Sequence, residues 1–291
     1  MNKKLLIGAC IFLQCSAFSW AQQNIIPLYE TGKIPLAKEN TETPTLTVYA
    51  PEKLSSKGTG VIVCSGGAYG GRANSVEGIP AAKKLVEAGI VAFLLDYRIP
   101  DSSKMYNKEL VPLTDAQRAI QYVREHAKQY KLDPGKIGIM GFSAGGHLVS
   151  TVGTHFSKTI LDNPRHTSLR PDFLVLVYPV ISFADSLTHL RSRQNLIGPD
   201  LSPEKIREYS NELQVTGDTP PTYLTSGMDD KVVKVENSLY FEAALLQHHV
   251  PVRLFLYASG RHGMGVYNPG ATVQWIDDCI DWIKKKEWRG Y

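Results

Sequence analysis

Lys136-Ile137-Gly138-Ile139-Met140-Gly141-Phe142-Ser143-Ala144-Gly145 is the stretch on which the reading of this 291-residue chain turns. Lys136 to Met140 is a short apolar run of the kind that forms a buried strand, and Ala144 to Val152 is a small-residue stretch that reads as a helix. G-x-S-x-G joins them with no room for a loop. A strand that turns straight into a helix forces the residue at the corner into a strained, exposed pose. The glycines on either side leave space for the neighbouring strand and helix. A serine that merely caps a helix has no need of glycine on both sides, so the pattern assigns Ser143 as a nucleophile.

A serine hydroxyl attacks poorly until a base takes its proton. In this strand–turn–helix arrangement the partners follow in the order serine, acid, histidine. Of the eight histidines, His262 lies in Gly260-Arg261-His262-Gly263, just after the last apolar run. His248 and His249 end a helix, and His147 is expected to be packed or hydrogen-bonded on the helix after Ser143. His126, His155, His166 and His189 have no matching position. The acid should come from Gly227-Met228-Asp229-Asp230. Asp230 is preferred, because G-x-x-D with Val232-Val233 just beyond it is the usual loop pattern; Asp229 is the alternative. An acid there holds the imidazole in the useful tautomer. Donors for a negative oxygen are expected from the backbone N–H groups of Ala144, Gly67 and Ala68, the last two in Cys64-Ser65-Gly66-Gly67-Ala68-Tyr69. A phosphate cradle is excluded, since neither G-x-x-x-x-G-K-[ST] nor G-x-G-x-x-G occurs. No histidine and cysteine cluster has zinc spacing, so neither a metal nor another cofactor is implied.

Around this centre, short apolar runs alternate with helical patterns. The runs are Gly60 to Cys64, Ile90 to Leu95, Lys136 to Met140, Phe173 to Val177, Pro221 to Thr225 and Val252 to Tyr257. Helical spacing covers Ile79 to Glu87, Thr114 to Tyr130, Ala144 to Val152, Val235 to His248 and Thr272 to Lys286. Thr45 to Ala50 alternates and reads as an early antiparallel strand. The expectation is an α/β fold, with a mostly parallel central sheet and helices on both faces. Tyr178 to Pro220 is longer than an ordinary connection, carries one helical patch (Pro203 to Asn211) and reads as a wall over the sheet. No linker divides residues 22–291, which read as a single domain.

The formal charge is +4, with lysine and arginine scattered and no basic stripe, which argues against a nucleic-acid face. Lys3, Lys4 and the apolar run Leu5 to Leu13, followed by Ser19-Trp20-Ala21, read as a signal peptide over residues 1–21. Cleavage after Ala21 and export to the periplasm or beyond are the expectation. The run is too short for a membrane span, and no other segment is long enough. Removal of the leader leaves Cys64 and Cys279, both in apolar settings and expected to be free thiols.

Ser65 to Tyr69, Gly141 to His147, the Asp230 loop and Gly260 to Gly263 together resemble the hormone-sensitive-lipase-like esterases of the α/β-hydrolase fold. The likeness is closer to secreted bacterial acetylxylan esterases. Ile26 to Pro35, Thr45 to Pro51, Asp115 to Ile120 and Tyr209 to Leu213 resemble further blocks of that group. The lipase-like branch has a histidine before its glycines where this chain has Ser65, and a glycine where it has Ala68. The resemblance implies a serine esterase acting through Ser143, Asp230 and His262, with acetylated oligosaccharide or polysaccharide as its substrate. Tyr69 and Tyr178 are candidates to stack on a sugar ring, and His189, Arg191, Ser192, Arg193 and Asn195 lend the wall a polar character. Competing readings are a general short-chain carboxylesterase or feruloyl esterase, a prolyl-oligopeptidase-like peptidase lacking its propeller, and an inactive hydrolase fold used for binding. A glycosidase would need two carboxylates flanking the bond, and no such pair is evident in the sequence.

Overall fold

The six apolar runs become parallel strands; the inner ones are buried on both faces and need helices on both sides, while Val252–Tyr257, at the sheet edge, is mostly half-buried. The computed structural model describes residues 24–54 and 56–289; the leader and its cleavage site lie outside them. The strands are β1 (Asn24–Pro27), β2 (Thr45–Tyr49), β3 (Gly58–Cys64), β4 (Val91–Asp96), β5 (Leu132–Phe142), β6 (Leu174–Val177), β7 (Thr222–Gly227) and β8 (Val252–Tyr257). They form one 8-stranded sheet in the order β1-β2-β4-β3-β5-β6-β7-β8. β1 and β2 run antiparallel to their neighbours, and the remaining pairings are parallel.

Alternation along each strand divides the core in two. On β3, Ile62 and Cys64 face one side while Val61 and Val63 face the other. The first face is covered by α2 (Val111–Glu125), α3 (Ala144–His155) and α6 (Glu236–Gln247). The second is covered by α1 (Ile79–Glu87) and α7 (Trp275–Lys285). Cys64 and Cys279 are buried in different clusters and both are free. Beneath α2, the Arg98 guanidinium is fully buried against Asp115, with Nη2 to Oδ1 at 2.6 Å. Burial pushes the Asp115 carboxyl up, and the Arg98 guanidinium opposes that shift.

Three elements depart from expectation. β1 is largely exposed, so its pattern is silent, and only backbone pairing to β2 makes it a strand. β5 begins at Leu132, where Gly58 pairs with it, and therefore runs through Pro134-Gly135, which reads locally as a turn. The wall holds α4 (Leu190–Ile197) as well as α5 (Pro203–Glu208). α4 lacks an apolar stripe because Ser192 and Arg193 are among its buried residues.

From β3 the chain moves outward to β4, covered by α1. From β5 it moves the opposite way, covered by α3 on the other face. The crevice at this reversal, beyond the carboxyl ends of the strands, is where an open α/β sheet places its ligands.

Candidate active site

Ser143 closes β5 and opens α3 with φ 51° and ψ −118°, a conformation an L-residue rarely holds. Close approach explains the flanking glycines. A Cβ on Gly141 would meet the Gly145 carbonyl oxygen at 2.2 Å, and one on Gly145 would meet that of Cys64 at 2.3 Å. The strained corner is held by its own backbone. Ser143 N–H donates to Val177 O at 3.0 Å, and Ser143 O accepts from the N–H groups of His147 and Val180 at 3.1 Å each.

The loop after β8 brings His262 Nε2 to 2.9 Å from Ser143 Oγ. The loop after β7 sets Asp230 Oδ2 2.8 Å from His262 Nδ1. A carboxylate only accepts, so Nδ1 carries the hydrogen and Nε2 presents its lone pair to the serine. Asp230 is itself oriented, its Oδ1 accepting from the N–H groups of Val232 at 2.8 Å and Val233 at 3.1 Å. Asp229 has a different task. It accepts from Gly260 N–H and Ser259 Oγ–H, both at 2.7 Å, and so ties down the loop that carries His262. Those bonds hold the Asp229 carboxyl below the usual range.

The loop after β3 packs against the serine: a Cβ on Gly66 would meet Ser143 Cβ at 2.9 Å. Gly67, Ala68 and Tyr69 have φ of 127°, 55° and 55°, three successive left-handed residues. A Cβ on Gly67 would strike Gly71 O at 2.4 Å. Gly66 N–H is already committed to Glu77 Oε2 at 2.6 Å. Gly67 and Ala68 stand at the crevice, as does Ala144, whose N–H opens α3 and has no helical carbonyl behind it. Asn195, on α4, donates to Ala68 O at 2.7 Å and fixes that peptide.

The two tyrosines proposed for a sugar ring are not available to one, a correction to the sequence reading. Tyr69 and Tyr178 are each 1% exposed. Tyr69 turns its hydroxyl inward to His147 Nδ1 at 2.9 Å, and Tyr178 donates to Glu77 Oε1 at 3.0 Å. The left-handed backbone at both positions aims the rings into the protein. His147 is packed, as expected, stacked on Phe183 at 4.3 Å between centroids. Its Nε2 donates to Tyr209 O at 2.9 Å, and burial pushes it down to about 4.

Sequence patterns did not signal a cleft of about 520 Å³ beside Gly70, lined in part by Asn40, Glu42, Arg72, Asp101 and Lys104. Its walls come from segments far apart in the chain, so no local motif marks it. Among the described residues, no group of three or more His, Cys, Asp or Glu side chains is placed to hold a metal ion. No described helix is long and apolar enough to cross a membrane.

The sheet order, the strained serine between β5 and α3, and the histidine and acid on later loops define an α/β-hydrolase. Within that class the chain belongs to the BD-FAE family, whose model matches residues 46–245. It is 31% identical to an acetylxylan esterase of Xylanibacter ruminicola over 98% of this chain and 55% of that one. It is 35% identical to endo-1,4-beta-xylanase B of Butyrivibrio fibrisolvens over 74% of this chain and 34% of that one. The chain thus spans between about a third and about half the length of these curated relatives. An acetyl ester-xyloside bifunctional hydrolase from Caldicellulosiruptor lactoaceticus has a crystal structure that superposes with a TM-score of 0.83, at 38% identity over 94% of this chain and 99% of that one.

Proposed function

We propose that this protein is an exported serine carboxylic-ester hydrolase that removes acetyl groups from plant or host polysaccharides. The observation that carries the reading is the continuous line from Ser143 Oγ through His262 to Asp230, with contacts of 2.9 and 2.8 Å, at a strained strand–helix corner. An acetylxylan esterase and an acetyl ester-xyloside hydrolase among the similar proteins support the substrate class.

In this mechanism His262 Nε2 takes the Ser143 proton as the oxygen attacks the acetyl carbon. The carbonyl oxygen becomes an anion held by the N–H groups of Gly67, Ala68 and Ala144. His262 then passes its proton to the departing sugar hydroxyl, leaving an acetyl-serine. Water, deprotonated by the same nitrogen, then attacks the acetyl carbon, and acetate leaves as His262 returns that proton to Ser143 Oγ. Asp230 keeps Nδ1 protonated and stabilises the imidazolium throughout. The sugar lies toward the polar cleft beside Gly70, where Asn40, Glu42, Arg72, Asp101 and Lys104 suit a hydroxyl-rich ligand. Residues 1–21 direct export in this reading, and cleavage leaves Gln22 first.

The test compares kcat/KM on acetyl and octanoyl esters of one chromogenic alcohol, then follows acetate release from acetylated xylo-oligosaccharides. Wild type should prefer acetyl and release acetate, and Ser143→Ala should lose about 10⁴-fold or more. Near-wild-type turnover by folded Ser143→Ala would sink the mechanism. Preference for octanoyl, or no acetate from any acetylated sugar, would remove the carbohydrate reading.

A further inference from the structure

Glu77 is a buried carboxylate, 4% exposed, on the single π-turn Asn74–Gly78 that leads into α1. Both of its oxygens are engaged. Gly66 N–H donates to Oε2 at 2.6 Å, and Tyr178 O–H donates to Oε1 at 3.0 Å. The proton positions follow from the partners. Gly265 N–H donates to the Tyr178 oxygen at 3.1 Å, which leaves the hydroxyl hydrogen for Glu77. An acceptor at both oxygens is the ionised form. Burial raises the Glu77 carboxyl, while these two donors and His262 oppose the rise.

The three partners belong to three walls of the crevice. Gly66 enters the loop that carries Gly67 and Ala68. Tyr178 immediately follows β6, and its ring lies against the His262 ring with centroids 4.8 Å apart. Gly265 follows His262 by three residues. It fits only as glycine, since its φ is 61° and a Cβ there would meet Val76 O at 2.6 Å.

We infer that Glu77 is a positioning residue: its carboxylate couples the oxyanion loop to the His262 loop through the Tyr178 hydroxyl and places a second negative charge behind the imidazole. The inference rests on the serine-esterase reading above. The groups that face His262 are Ser143 at Nε2, Asp230 at Nδ1 and Tyr178 against the ring, with His189 within electrostatic reach on the wall side. Arg191 acts in turn on His189. Glu77 joins Asp230 in favouring the charged imidazole that forms as Ser143 attacks.

The experiment compares wild type, Glu77→Gln and Tyr178→Phe across pH. It measures kcat and KM on p-nitrophenyl acetate and the rate at which diethyl p-nitrophenyl phosphate labels Ser143. Glu77→Gln keeps the shape and removes the charge. Its kcat should fall about tenfold to a hundredfold with KM nearly unchanged. The acid limb of its labelling profile should move to lower pH by about half a unit or more, because a neutral imidazole is then easier to keep. Tyr178→Phe keeps the ring and cuts the link, so kcat should fall. An unmoved acid limb in folded Glu77→Gln overturns the inference, even if the rate drops. If Glu77→Gln does not fold, wild-type kcat in Tyr178→Phe overturns it instead. Wild type that never labels at Ser143 would mean that the esterase reading itself has failed, a separate result.

Discussion

Replacing His147 by glutamine measures how far a buried neutral imidazole ties this fold to pH. His147 is fully buried, and its two nitrogens are used in opposite senses. Tyr209 O can only accept, so Nε2 carries the hydrogen, and Nδ1 accepts from Tyr69. A second proton, on Nδ1, would oppose the Tyr69 O–H and carry an unpaired charge into the core. Burial depresses the group from 6.5 to about 4, whereas an unfolded chain leaves it near 6.5. Between those values the unfolded state binds the extra proton, so stability present above 6.5 is lost as pH falls toward 4. Integrated from pH 7.5 to pH 5, the loss is about 2 kcal/mol. Glutamine can donate to Tyr209 O and accept from Tyr69 while never titrating. Urea unfolding of both proteins at the two pH values gives the slopes. Wild type should lose about 2 kcal/mol more than His147→Gln over that interval, after the carboxylates common to both cancel. Equal slopes would mean that His147 is protonated in the fold, or solvated, and would refute the argument.

Further outcomes are expected at the crevice. Asp230→Asn should lower kcat by about 10³ to 10⁴, because the imidazole loses its orienting acceptor. Asp229→Asn should cost about tenfold or less, since it loosens only the loop anchor at Gly260; steady-state kinetics with the reverse order would exchange their roles. Gly145→Ala should destabilise the fold by about 3 kcal/mol or more, because its Cβ would meet Cys64 O at 2.3 Å, while Gly71→Ala, with nothing within 4 Å, should be nearly neutral by thermal unfolding. Lys104→Ala should raise KM on acetylated xylo-oligosaccharides several-fold and leave p-nitrophenyl acetate unaffected; equal effects on both would place the sugar elsewhere.

The amino-acid pattern alone determined the layered parallel sheet and the strand-to-helix corner at Ser143, because both are local. Period-two and period-3.6 burial, with glycine on each side of one serine, are written in consecutive residues. The same locality placed His262 and Asp230 on the loops after the last two strands. Tertiary structure decided what depends on distant partners. β1 exists through its pairing to β2, and β5 runs through Pro134-Gly135 because Gly58 pairs with Leu132. α4 buries Arg193 and Ser192, so it shows no apolar stripe. Between adjacent Asp229 and Asp230 the G-x-x-D pattern already favours Asp230, but the separate task of Asp229 belongs here. The two differ by one position in the chain, and only the path of the loop turns one toward the His262 ring and the other toward Gly260. Tyr69 and Tyr178 look like ring-stacking surfaces in the sequence, yet positive φ at each turns them inward. Glu77 carries no signal in the sequence, because its role lies in three hydrogen-bonded segments that come together only when the sheet is assembled.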